Sequence, residues 1–206
     1  MKREFAEGSA GRGLRQPAAA VAASAMMAMV VLLPVPKAGS SKVNPKDGLT
    51  YVWIPAGTFV MGCSPGDREC GAEEKPAHRV TITKGFWMGQ TEVTQAAFER
   101  AVGYNPSHTK GDSLPVQNIA WAQARDYCEA AGMRLATEAE WEYAARGGAS
   151  SARYDTPDEV AWHARTSGGH AHAGGLKRAN AYGLYDMLGT CGSGWTAASA
   201  LIERMR

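Results

Sequence analysis

Twenty-four glycines and six tryptophans in 206 residues place the tightest bound on what this chain can fold into. Glycine opens backbone conformations closed to other residues, and each tryptophan is a large apolar anchor that needs cover. Together they imply tight turns around aromatic anchors in place of long regular elements. A chain of this length can bury one substantial core, and its 45% apolar and 20% charged residues are ordinary for a globular protein. Twenty-two Lys and Arg stand against 20 Asp and Glu, so no large field exists to hold nucleic acid.

The first 40 residues have the three parts of an export signal: basic Lys2, Arg3, Arg12 and Arg15, apolar Ala18 to Val35, then Ala38-Gly39-Ser40. Cleavage after Ser40 fits, giving an exported protein, periplasmic or extracellular. The apolar run is short for a membrane span and is broken by Pro34, so contact with a membrane requires that the segment stay uncleaved as an anchor. Residues 41–48 read as a linker, with the domain covering 49–189.

Within the domain, Tyr51 to Ile54 and Thr58 to Met61 are β-branched and aromatic runs separated by Pro55-Ala56-Gly57, the pattern of a hairpin. Further strands are expected over His78 to Thr83 and Phe86 to Gly89. A first helix should cover Thr94 to Val102, capped by Thr94 and stopped by Gly103. A second should cover Trp121 to Ala131, with Trp121, Ala124, Cys128 and Ala131 on one face. Thr137-Glu138-Ala139-Glu140 forms a capping box for a third, which Gly147-Gly148 breaks after Arg146. Ala149 to Asn180 shows no sustained period and reads as irregular.

Cys63 and Cys70 could staple one loop by a disulfide in an exported protein, or stand as two separate thiols. Cys128, on a helix face between alanines, reads as a buried inert thiol. His163, His170 and His172 lie without neighbouring carboxylates or cysteines in a Gly-rich stretch and read as solvent-exposed, and His78 as a hydrogen-bonded structural residue.

Several ordered blocks point to a family. Ile54-Pro55-Ala56-Gly57-Thr58-Phe59-Val60-Met61-Gly62, Glu74 to Val80, Glu92-Val93-Thr94, Pro115-Val116, Arg134 to Gly148 and Asn180 to Gly189 resemble, in order, the formylglycine-generating enzymes and other sulfatase-modifying factors. Ala136 stands where that family usually has proline. The resemblance implies a single loop-rich α+β domain of the C-type lectin-like kind, with its C-terminal part missing.

Where the family continues with Gly-Asn-Val-Trp-Glu-Trp, this chain reads Gly189-Thr190-Cys191-Gly192-Ser193-Gly194-Trp195. Codons GGC AAC GTG TGG GAG TGG GTG G encode the family motif, and loss of one A gives GGC ACG TGT GGG AGT GGG TGG. That reads as Gly189 to Trp195, so residues 190–206 are expected to be an out-of-frame tail. Cys191-Gly192-Ser193-Gly194-Trp195 imitates a papain signature, but all five histidines precede it, leaving no downstream base.

The resemblance implies an exported oxidoreductase converting a cysteine of an unfolded sulfatase segment to formylglycine with oxygen and copper. Soft Cu(I) calls for a cysteine pair, which the family places in a later block. The expectation is therefore an inactive member, with a non-catalytic binding or accessory module on the same scaffold as the alternative. The resemblance also implies calcium, with Asp186 and Gly189 as part of an incomplete site, because Ser193 stands in place of a family glutamate. A turn or cap role for Asp186 competes with that reading. Loss of C-terminal strands would leave exposed edges and a poorly cooperative melt over Ser41 to Arg206.

Overall fold

A computed structural model describes residues 34–68, 70–151, 153–188 and, for the backbone, 201–203. Most of the export signal, up to residue 33, and most of the tail lie outside the described residues. Those from Val35 onward belong to one compact unit.

The centre is β2 (Thr50–Ile54), whose last four residues are buried. A strand covered on both faces needs neighbours on both edges. β1 (Ser41–Val43) pairs with one edge and β5 (Phe86–Gly89) with the other, both antiparallel. β7 (Leu201–Glu203) and β6 (Met133–Leu135) complete a sheet of order β1-β2-β5-β7-β6. β3 (Gly57–Met61) and β4 (His78–Ile82) form a separate antiparallel ribbon.

Three helices end as their caps dictate. Thr94 accepts the Ala97 N–H at the start of α1 (Gln95–Val102), and Gly103 closes it at φ 84°. α2 (Trp121–Ala131) begins with the Gln123 side chain accepting the Ala120 N–H at 2.7 Å and stops at left-handed Gly132. α3 (Glu138–Arg146) has the reciprocal Thr137–Glu140 capping box and ends at Gly147. One further turn, α4 (Pro157–Val160), interrupts the irregular stretch.

Strand alternation divides the core in two. Tyr51 joins Phe98 of α1 and Tyr127 and Cys128 of α2 in one cluster. Val52, Ile54, Phe86 and Met88 join Tyr143 and Ala144 of α3 and Leu184 in the other. The result is an α+β domain with helices on both sides of a small sheet.

Three expectations are corrected. β2 and β3 are not a hairpin; they belong to different sheets, because Phe59 leaves the central sheet to pack on Tyr143 of α3 at a ring distance of 5.4 Å. Residues 41–48 are not a linker. They supply β1, the Asn44 amide that donates to the Ala131 carbonyl at 3.1 Å, and Asp47, which is 1% exposed. Asp47 accepts the buried hydroxyls of Tyr51 at 2.7 Å and Tyr127 at 3.1 Å, which burial holds far above the usual phenol range. Trp121 does not share the buried face of α2: it is 67% exposed, with Arg125 over its ring. Residues 201–203 lie between β5 and β6, and β1 and β6 are the edges of the sheet.

Candidate functional site

Asn180 fixes the segment that carries the expected calcium ligand. Its amide donates to the carbonyls of Ala144 and Ala145 at 2.7 and 3.1 Å, and its side-chain oxygen accepts the N–H groups of Tyr182 and Leu184. Leu184 and Met187 then bury themselves against the core, 0% and 3% exposed. Asp186 between them is forced inward and adopts φ 54°, an uncommon conformation for a residue with a Cβ. It is 5% exposed. Its Oδ2 accepts the Gly175 N–H at 2.7 Å, while its buried Oδ1 has no hydrogen-bond partner.

Glu92, also 5% exposed, comes from the loop before α1. A Cβ on Gly174 would stand 3.1 Å from its Oε2, next to Gly175, whose N–H Asp186 accepts. Burial and then the charge of Asp186 push the Glu92 carboxyl up to about 7, against a bond from its own N–H. Burial likewise raises Asp186, opposed by the Gly175 N–H and the Lys177 charge. Tyr154 is pushed up to about 12 by burial and by Asp186. These shifts describe a corner where negative charge is poorly compensated.

A second feature is a cleft of about 400 Å³ between β3 and the C-terminal end of α3, walled by Phe59, Tyr143 and Tyr182. The Tyr182 hydroxyl donates to that of Tyr143 at 3.2 Å. Glycine is required at Gly57, where a Cβ would collide with the Tyr143 hydroxyl. Arg146, also lining the cleft, is fully engaged: it donates to Glu142 at 2.6 Å, to the Gly62 carbonyl at 2.6 Å and to Ser64 Oγ at 2.8 Å. Cys63 lies at the rim, joined to Cys70 with their Cα atoms 5.6 Å apart.

Asp186 and Glu92 do not line this cleft, so the expected disulfide and the expected cation ligand belong to different features. Gly189 lies outside the described residues. His163 and His172 are half-buried, not solvent-exposed: His163 bonds Asp158 at 2.8 Å, and His172 stacks on Trp162 at 3.7 Å because the Gly-rich segment folds back on itself. Glu92 escaped notice in the sequence because a carboxylate just before an N-cap threonine ordinarily faces solvent. Only the long-range approach of Asp186 gives it meaning.

Copper does not fit the described thiols. Cys63 and Cys70 are joined, and Cys128 is buried within α2, 1% exposed. Calcium fits better, since Asp186 offers a hard, buried oxygen. Among the described residues, no group of three or more His, Cys, Asp or Glu side chains is gathered for a metal.

The helices packed on a small central sheet, with a separate ribbon and long ordered loops, define an α+β protein of C-type lectin-like architecture. A model of the sulfatase-modifying factor enzyme 1-like domain matches residues 37–200, and the chain belongs to that family. The chain is similar to the formylglycine-generating enzyme of Streptomyces coelicolor, 27% identical over 78% of this chain and 74% of that one. It is 30% identical to the chaperone protein LppX of Paenibacillus barcinonensis, of which it spans 59%. The inactive C-alpha-formylglycine-generating enzyme 2 of Bos taurus is 37% identical, and the chain spans 41% of it. Among solved structures, that of PvdO from Pseudomonas aeruginosa has the same fold, with TM-score 0.66 at 24% identity over 74% of this chain and 72% of that one.

Proposed function

We propose that this chain is an exported member of its family that binds an extended, cysteine-containing polypeptide segment, such as an unfolded sulfatase segment, without oxidising that cysteine. The observation that carries this reading is the state of the thiols. Cys63 and Cys70 are joined and Cys128 is buried, so the described residues offer no thiolate pair for Cu(I). Similarity to a relative named as inactive supports it. The cleft walled by Phe59, Tyr143 and Tyr182 is the place of suitable shape for an apolar side chain of such a segment.

In this reading the protein's own residues do the positioning. Arg146 and Glu142 hold β3 against α3, which fixes Phe59 against Tyr143, and the disulfide restrains the rim. The test uses a fluorescent peptide carrying a sulfatase-type cysteine. Anisotropy should show saturable binding that Phe59→Ala weakens, and mass spectrometry with oxygen and copper present should find the peptide thiol unchanged. Formation of formylglycine, or binding indifferent to Phe59→Ala, would overturn the proposal.

A further inference from the structure

The edge of β3 away from β4 borders the cleft. β3 pairs with β4 from Gly57 opposite Ile82 to Met61 opposite His78, and among the described residues no second strand joins it. Just past its end, Gly62 gives its N–H to Glu142 at 2.9 Å, and its carbonyl accepts from Arg146 at 2.6 Å. A planar trans peptide that points the Gly62 N–H away from β4 points the Met61 carbonyl toward it. Hydrogen-bonded and non-hydrogen-bonded pairs alternate along an antiparallel ladder. Met61, Phe59 and Gly57 therefore face β4, and Val60 and Thr58 turn their backbone N–H and C=O outward. A separate observation agrees: the hydroxyls of Thr58 and its partner Thr81 stand 3.1 Å apart, as suits the closer side chains of a non-hydrogen-bonded pair.

We propose that an extended polypeptide segment joins β3 as an added strand, hydrogen-bonded to the backbone of Thr58 and Val60. This mode deepens the peptide-binding reading above and rests on it. The outward donors and acceptors of an edge strand are a template for another strand, and the complement they demand is a peptide backbone. Thr58, Phe59 and Val60 also line the cleft, and Thr58 and Val60 are exposed. Glu142 and Arg146 occupy the backbone of Gly62, so the added strand stops before it. The class of ligand follows from the pleat. A ligand residue across from Phe59 shares its face and enters the cleft beside the aromatic walls, while its two neighbours point to the opposite face with the Thr58 and Val60 side chains. The edge thus selects an extended segment with an apolar side chain at that central position and makes little demand on the side chains flanking it.

The full chain is titrated with the cysteine-bearing fluorescent peptide and with a series of copies, each N-methylated at one backbone amide. Methylation should weaken binding on the order of tenfold or more at alternate positions, those that meet Thr58 and Val60, and spare the positions between them. Nuclear Overhauser contacts should join peptide backbone protons to those of Thr58 and Val60. Val60→Pro removes an N–H that β4 does not use, a loss that edge strands tolerate, so it should fold and lose peptide affinity by a similar factor. If Val60→Pro does not fold, the methyl series on the parent protein decides alone. Peptide binding that Phe59→Ala weakens, but that the methyl series affects evenly or not at all, would overturn strand addition and leave the peptide reading in place. No peptide binding at all would sink both. A dimer in which the Thr58 and Val60 edges of two copies meet, seen by sedimentation and by the same contacts, would give the edge to a second copy and also overturn the proposal.

Discussion

Single residues in this protein carry loads that their positions in the sequence conceal. Asp47 sits in a polar stretch yet accepts two tyrosine hydroxyls that have left water, together with the Leu49 N–H at 2.9 Å. Asp47→Ala should therefore lower unfolding free energy by about 3 kcal/mol, the cost of stranding buried donors, as read from the urea midpoint. Asp47→Asn, which keeps an acceptor, should recover part of it. Glu92 makes the opposite prediction for pH. Its folded carboxyl is raised from 4.5 to about 7, so the folded state holds its proton longer than the unfolded chain. Stability from this group is complete below about pH 4.5 and is lost as pH rises to about 7. At about 1.4 kcal/mol per pH unit, that is about 3 kcal/mol in cation-free protein. A stability profile that Glu92→Gln leaves unflattened over that window would contradict it.

At the level of elements, the helices were legible because their signals are local. Thr137 accepts the Glu140 N–H at 3.2 Å, and Glu140 returns a bond to the Thr137 N–H at 2.9 Å while gripping Arg134. Burial raises the Glu140 carboxyl, but Arg134 and Thr137 outweigh it and hold it below its usual range. Thr137→Ala should cost about 1 kcal/mol, measurable as a lower melting temperature. Strand pairing was less legible. Pro55-Ala56-Gly57 announces a turn correctly, but which strand lies beside which depends on Phe59 meeting Tyr143, 84 residues away. The buried carboxylates were hidden for the same reason: Asp186 could be picked from its segment, but Glu92 only from the fold. The three-residue strands β1 and β6 are too short to show alternation.

For the molecule as a whole, the sheet draws on distant parts of the chain. β7 aligns Ile202 with Met88 of β5 on one side and with Arg134 of β6 on the other. Removing 201–206 should expose both edges at once, giving a broader melt at lower temperature and more aggregation on heating. A deletion that melts as sharply and as high as the parent would assign β7 no structural part. The two-cluster core makes the same point from within, since β2 and β5 feed both clusters and a loosened sheet would loosen both. The β3–β4 ribbon stands apart from that sheet and is held differently. Its Gly62 N–H donates to Glu142 of α3 at 2.9 Å, and the Gly62 carbonyl is taken by Arg146. In the language of amide exchange, that hydrogen sits just past the end of a two-stranded ribbon but is bonded by a helix side chain. It should exchange only when the ribbon parts from α3, and so acts as a clock for that one opening.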